Sequence, residues 1–212
     1  MNSATPVIHV VDDDASFRMA IGGLLQASGY EVVLYESAHL LLKTLSGIGP
    51  GCILLDVRMP DLSGPELQAR LVELGNALPI VFLTGHGDIP MSVRAIKTGA
   101  EDFLSKPVPK KTLLEAVERA LARYEEGRDQ HARLTALRAL VAAFTPRERE
   151  VFALLVRGKL HKQIAFELGT TERTIKAHRH SLMQKLHVHS LAEAVSIAER
   201  LGMLASPTNA GH

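Results

Sequence analysis

Five short apolar runs punctuate the first half of the chain: PVIHVV (6–11), EVVLY (31–35), GCILLD (51–56), PIVFLT (79–84) and DFLSK (102–106). They are rich in β-branched or aromatic side chains and bounded by turn residues, which predicts five β-strands. Between them apolar positions recur at helical spacing: 15–28 with Phe17, Ile21, Leu24 and Leu25, the Leu-rich 38–45, 64–74, and 89–98 with Val93 and Ile96. A fifth helix starts after Pro109. Strict strand–helix alternation with nearly continuous apolar strands predicts a doubly wound α/β fold, a five-stranded parallel sheet covered on both faces. Such sheets place their chemistry at the carboxyl ends of the strands.

From Lys110 the pattern stays helical for most of the way to Phe144. Leu114, Val117, Leu121 and Tyr124 form one stripe and Leu134, Leu137, Val141 and Phe144 another, one residue out of phase, with Gly127 in the polar stretch between them. The expectation is a domain-closing helix running into a linker, with a bend or phase shift near Gly127, where glycine costs about 1 kcal/mol relative to alanine. A linker coiled coil is the alternative to simple packing on its own domain.

Beyond Thr145 the chain reads as four helices. Thr145, Pro146 and Glu148 form a capping-box start. A second helix spans about 162–168 and stops at Gly169; Thr171 caps a third over 172–186, with Glu172 in the first turn where the helix dipole favours an acid. Ser190 caps a fourth, to about Leu201. Val151, Leu154, Leu155, Ile164, Ala165, Leu168, Ile175, Leu182, Leu186, Leu191 and Val195 have the spacing of a shared core. A short helix, a glycine turn and a longer basic helix make a helix-turn-helix. The expected domains are 1–125, a helical linker 126–143, the all-α domain 144–205 and a tail 206–212.

Composition alters this picture mainly through charge. Net charge is +1 over 212 residues, but residues 1–125 carry 11 Lys and Arg against 15 Asp and Glu, and residues 126–212 carry 13 against 8. An acidic front and a basic back suggest one module for cations or phosphate chemistry and one for a polyanion. The single Cys52 excludes an internal disulfide or a multi-cysteine zinc site. No leader pattern opens the sequence and no apolar run approaches the roughly 20 residues of a membrane span, so a reduced, cytoplasmic protein with no membrane partner is expected.

The strand ends carry the informative side chains: Asp12, Asp13 and Asp14 after the first, Asp56 on the third, Thr84 on the fourth, Lys106 and Pro107 after the fifth. In strand order 2-1-3-4-5 they converge. Two carboxylates at 4 Å repel by about 4 kcal/mol at an effective dielectric near 20, so cations must balance them: Mg²⁺, the hard ion that oxygen ligands favour, and Lys106. A carboxylate between two such cations is set up to take a phosphoryl group as an acyl phosphate, with Thr84 hydrogen-bonding the product. A dehalogenase-like phosphatase would want a second Asp two residues after the nucleophile, where Arg58 stands.

Through VVDDD, DVRMPDLSG, FLTGHGD and FLSKP, residues 5–125 resemble a response-regulator receiver domain. The resemblance implies that Asp56 accepts a phosphoryl group from a sensor histidine kinase and that Asp12, Asp13 and Asp56 hold Mg²⁺ with the main-chain carbonyl of Arg58. It implies that Thr84 and Lys106 contact the phosphate, that Phe103 is a switch aromatic turning inward with Thr84, that the Lys106–Pro107 bond is cis, and that Arg58 and His86 tune the lifetime of the phosphoryl group. Such a domain assists its own phosphorylation and dephosphorylation and is otherwise no enzyme.

Residues 145–203 resemble the LuxR/NarL-type helix-turn-helix, which implies promoter double-stranded DNA as partner. The third helix turns Arg173, Thr174, Lys176, Ala177, Arg179, His180 and Gln184 outward, a face suited to the major groove. The histidine pairs 178/180 and 187/189 sit two apart, about 200° around a helix, so phosphate contacts or packing are expected of them rather than a metal clamp. Together the modules resemble the FixJ-like regulators, in which phosphorylation promotes a homodimer. Ile89, Val93, Ile96 and Lys97 are the expected contacts, with Glu101 or Asp102 as cross-subunit ion partners and RNA polymerase as a further partner. The rival expectation is a constitutive DNA binder with a non-switching front domain.

Overall fold

A computed structural model of the chain describes residues 5–85 and 99–204, in two compact units, Met1–Arg128 and Asp129–His212. The first contains β1 (Val7–Val11), α1 (Ala15–Ala27), β2 (Glu31–Tyr35), α2 (Ala38–Thr44) with a following turn of 3₁₀ helix, β3 (Gly51–Asp56), α3 (Gly64–Glu73), β4 (Ile80–Thr84) and β5 (Asp102–Ser105). A long helix, α4 (Lys110–Ala142), starts in this unit and ends in the second, which holds α5 (Pro146–Leu155), α6 (His161–Glu167), α7 (Glu172–Lys185) and α8 (Leu191–Arg200). The segment expected as a helix over 89–98, with Ile89, Val93, Ile96 and Lys97, lies outside the described residues, as does His86.

The sheet is parallel throughout, in the order β2-β1-β3-β4-β5. Strands β3 and β4 are buried at every position, because helices cover both faces and leave no solvent side for polar alternation. Edge strand β2 keeps a partial alternation. One face packs Val11, Ile53, Leu55 and Phe82 against Ala38, Leu41, Leu67 and Leu71 of α2 and α3. The other packs Ile8, Val10, Leu54, Val81 and Leu83 against α1 and the first turns of α4. Asp14 starts α1, its Oδ1 accepting from the amides of Ser16 at 2.9 Å and Phe17 at 3.2 Å, and Ser63 with Glu66 boxes the start of α3.

Helix α4 stays helical through Gly127, near which a bend or phase shift was expected. One glycine weakens a helix by about 1 kcal/mol, too little to end a segment rich in Ala, Leu, Arg and Glu and free of proline. Its first turns bury Leu113, Ala116, Val117 and Ala120 on the sheet, so the buried stripe is wider than the Leu114–Tyr124 series and includes small residues. Residues 125–133 are exposed, while Leu137, Leu140 and Val141 pack onto the core of the second unit.

That core joins Phe144, Val151, Phe152, Ile164, Ile175, Leu182 and Leu186 to Ala194, Ile197 and Ala198, with Phe144 and Phe152 edge to face at 5.3 Å. In α8 Ala194, Ile197 and Ala198 are innermost while Leu191 and Val195 are only half-buried. Two of these three are small side chains, which apolar patterning of large residues does not mark.

Two positions give measurable consequences. Gly64 packs so tightly behind the end of β3 that a Cβ there would lie 2.4 Å from the Asp56 carbonyl oxygen and 2.9 Å from the Phe82 ring. Gly64→Ala is expected to destabilise the first unit by about 1–3 kcal/mol, read as a lower urea midpoint; an unchanged midpoint refutes it. His9 is buried in β1 with Nδ1 3.1 Å from the Tyr35 hydroxyl, and burial pushes its pKa below the ordinary 6.5. The unfolded chain then binds a proton that the folded chain refuses, so stability present above about pH 6.5 is lost as pH falls toward the lowered value. Between about pH 7.5 and pH 5.5 the urea midpoint of the wild type should drop more than that of His9→Gln; parallel curves would remove His9 as the cause.

Candidate functional site

The parallel register brings the carboxyl ends of β1, β3, β4 and β5 side by side, with Val11 opposite Leu55, Asp56 opposite Leu83 and Thr84 opposite Ser105. Asp12 directly follows β1, its amide extending the ladder to the Tyr35 carbonyl at 3.1 Å. Asp56 closes β3. Both carboxylates are buried, at 0% and 5% exposure.

Lys106 links them. Its Nζ donates to Asp12 Oδ2 at 2.6 Å and to Asp56 Oδ1 at 2.6 Å. The remaining oxygens take backbone amides: Asp12 Oδ1 accepts from Asp14 at 3.0 Å and Asp56 Oδ2 from Arg58 at 2.6 Å. Burial raises the Asp12 pKa against the opposing pull of Lys106. For Lys106 burial works against the charge, but hydrogen bonds and fields from Asp12 and Asp56 prevail and hold its pKa above the ordinary amine value. The ammonium also lies 4.0 Å from the centre of the Phe17 ring. Arg18 donates to the Asp12 carbonyl oxygen at 2.5 Å. Sequence reasoning assigned Phe17 only a core role and gave Arg18 none, since neither a ring under a cation nor a bond to a main-chain oxygen has a motif.

Asp13 is exposed beside this pair, and Thr84 is buried at 2% exposure, its carbonyl accepting from the Lys106 amide at 2.6 Å. The Lys106–Pro107 bond is cis, as the family resemblance implies. Phe103 stands opposite Phe82, one side-chain step below Thr84 on the same face of the sheet, half-buried, with its ring 6.2 Å from Phe82. Asp102 pairs within its own chain with Arg119 of α4, so its carboxylate is already engaged. Among the described residues no three His, Cys, Asp or Glu side chains gather as a ready metal cluster. The donor chemistry nevertheless suits a hard dication: two buried carboxylates share one ammonium, exposed Asp13 adds a third acid beside them, and Arg18 is bound at the rim through a main-chain oxygen. The residues that would hold Mg²⁺ are Asp12, Asp13, Asp56 and the Arg58 carbonyl.

In the second unit α7 exposes Arg173, Lys176, Ala177, His180 and Gln184. Thr174 is half-buried and occupied by the cap: its amide donates to Thr171 Oγ1 at 3.2 Å and the two hydroxyls lie 2.9 Å apart. Arg179 is also half-buried, with Nε lacking a partner among the described residues. Lys176, Arg179, His180, Met183, Gln184 and the turn 187–189 line a groove of about 870 Å³. A concave face carrying cations, imidazoles and an amide is suited to a phosphate backbone and to base edges.

Residues 8–118 match the family model described as the response regulator receiver domain, and residues 142–198 match that of the bacterial regulatory proteins of the luxR family. The chain is 40% identical over 201 residues to the response regulator protein TmoT of Ectopseudomonas mendocina, covering 95% of this chain and 91% of that protein. It is 41% identical over 197 residues to the transcriptional regulatory protein FixJ of Bradyrhizobium diazoefficiens, covering 93% of this chain and 96% of that protein. Among solved structures it is similar to the response regulator StyR, with a TM-score of 0.77 and 45% identity over 93% of this chain and 100% of that one. No helix of the described residues is long and apolar enough to cross a membrane.

The posture of α7 depends on a buried acid that sequence reasoning saw only as a helix cap. Glu148 is 4% exposed; besides taking the Thr145 amide at 2.8 Å it accepts from Lys185 Nζ at 2.6 Å and Ser181 Oγ at 2.7 Å, both on α7. Lys185 foremost, with the Thr145 amide next, holds its pKa down to about 2 from 4.5. Glu148→Gln is expected to lower the stability of the second unit by about 1–3 kcal/mol at neutral pH. A depressed folded pKa means stability present above about 4.5 and lost as pH falls toward about 2. The gap between wild type and variant should therefore close on acidification; a gap that persists at low pH contradicts the assignment.

Proposed function

The chain belongs to the response regulators that join a receiver domain to a LuxR-type DNA-binding domain, and on that premise we propose that Asp56 is its phosphoacceptor and α7 its DNA-reading helix. It is a phosphorylation-activated regulator of transcription, and its domains imply a histidine kinase and DNA as partners. The observation that carries the acceptor assignment is the Asp56 carboxylate, buried and held 2.6 Å from an ammonium that Asp12 also grips.

An Asp56 carboxylate oxygen attacks the phosphorus of the kinase phosphohistidine. The new P–O bond forms as the P–N bond breaks, and the electron pair of that bond stays with the departing imidazole. Lys106 releases Asp56 and donates to a phosphoryl oxygen while keeping Asp12. Bound Mg²⁺, held by Asp12, Asp13, Asp56 and the Arg58 carbonyl, would neutralise phosphoryl charge. The Thr84 hydroxyl turns toward the phosphoryl group, and Phe103 moves into the space below. A full 1:99 to 99:1 switch between two states requires about 5.5 kcal/mol of differential stabilisation, and this pair is where the phosphate first acts. The switched state forms a homodimer through the segment containing Ile89, Val93, Ile96 and Lys97. On promoter DNA it presents Arg173, Lys176, Ala177, Arg179 and His180 of α7 to bases and phosphates, with Thr174 securing the helix start, and acts on RNA polymerase.

Acetyl phosphate with Mg²⁺ should label the wild type, and Asp56→Asn or chelation should abolish the label. The labelled protein should footprint its operator at lower concentration than the unlabelled one. Label retained by Asp56→Asn overturns the acceptor assignment, and equal footprints of the two forms favour a constitutive binder.

A further inference from the structure

Lys106 is gripped on more than its two carboxylate sides. Its ammonium has three N–H donors; Asp12 and Asp56 accept from it at 2.6 Å each, and the Phe17 ring lies with its centre 4.0 Å from the nitrogen. The backbone amide of Phe17 donates to the Asp14 cap at 3.2 Å. The cap that starts α1 thus also places the ring, immediately after the acidic run. The ring is half-buried and packs at the margin of the apolar cluster beneath the sheet. A π face carries partial negative charge and attracts a cation within about 6 Å, more strongly where water is excluded.

We infer that Phe17 is a positioning residue for phosphoryl transfer: its ring holds the Lys106 ammonium in place while Lys106 exchanges the Asp56 carboxylate for a phosphoryl oxygen. This rests on the phosphoacceptor reading of Asp56. During the exchange the ammonium loses one of its two carboxylate contacts. Without the ring only Asp12 and a flexible four-carbon stem keep it from turning to solvent. The ring is the support that does not change partners, because it makes no bond to the phosphoryl group and carries no proton.

Packing and electrostatics are separable at this position. Full-length protein carrying 4-fluoro-, 3,5-difluoro- or 3,4,5-trifluorophenylalanine at position 17 keeps the ring shape while progressively weakening its negative face. The rate of Asp56 labelling by acetyl phosphate should fall stepwise along that series with the unfolding midpoint unchanged. Phe17→Leu should be slower by roughly 3- to 10-fold, and Phe17→Tyr should stay within about 2-fold of wild type. In Mg²⁺-free protein the Lys106 ε-methylene protons should resonate upfield under the ring current and return to their ordinary position in Phe17→Leu. Equal labelling rates across the fluorinated series, or an ordinary Lys106 resonance in the wild type, overturn the role of Phe17 while leaving Asp56 as acceptor. A wild-type chain that takes no label overturns both.

Discussion

The receiver is organised around one interaction: an ammonium held 2.6 Å from each of two buried carboxylates that arrive on different strands. Two buried anions that close repel strongly, and the fold tolerates them only because Lys106 stands between them. The sheet supplies the geometry. Parallel strands end level, so Asp12, Asp56, Thr84 and Lys106 meet without any long loop. The lysine is tied into the same frame through its own amide, which donates to the Thr84 carbonyl. A movement of its side chain would therefore begin beside Thr84.

The second unit solves a related problem with a different outcome. Glu148 is also a buried acid with a lysine partner, but it accepts from the Thr145 amide, Ser181 and Lys185 together, and its pKa falls to about 2. Asp12, with less compensation, is pushed upward by its burial. Saturating the hydrogen-bond capacity of a carboxylate makes it a fixed structural anion; leaving it with a cation that can change partners keeps it available for chemistry. The first arrangement ties α7 to α5, and the second leaves Lys106 able to change partners.

Strand order, the acidic pocket and the helix-turn-helix were legible because each has a local signature: apolar strand runs, strand-end carboxylates, and caps such as Thr145 and Thr171 whose predicted bonds are present. Contacts between distant elements were not. The Glu148 bonds to Ser181 and Lys185 span more than thirty residues and depend on how α5 packs on α7. Phe17 looked like a core residue because its helical spacing is that of one. At Gly127 a local weakness pointed to a bend or phase shift, and α4 remains helical through it. In α8 buried Ala194 and Ala198 gave no signal, since an alanine is as common on an exposed helix face as on a buried one.

Charge explains why the two units must communicate through shape. Phosphorylation of a carboxylate exchanges its single charge for the roughly 1.5 to 2 negative charges of a phosphoryl group, a net gain of about one in a module that already carries more acids than bases. A longer-range effect on DNA affinity would then be repulsive, and salt screens it within about 8 to 10 Å. Tighter operator binding has to come from geometry, either by releasing the α7 face or by joining two such faces on one site. The second route converts one binding event into a linked pair and gains affinity with no new contact to DNA. It asks of the receiver only that the phosphate favour one of two arrangements; Thr84 is buried and Phe103 half-buried on the same face of the sheet.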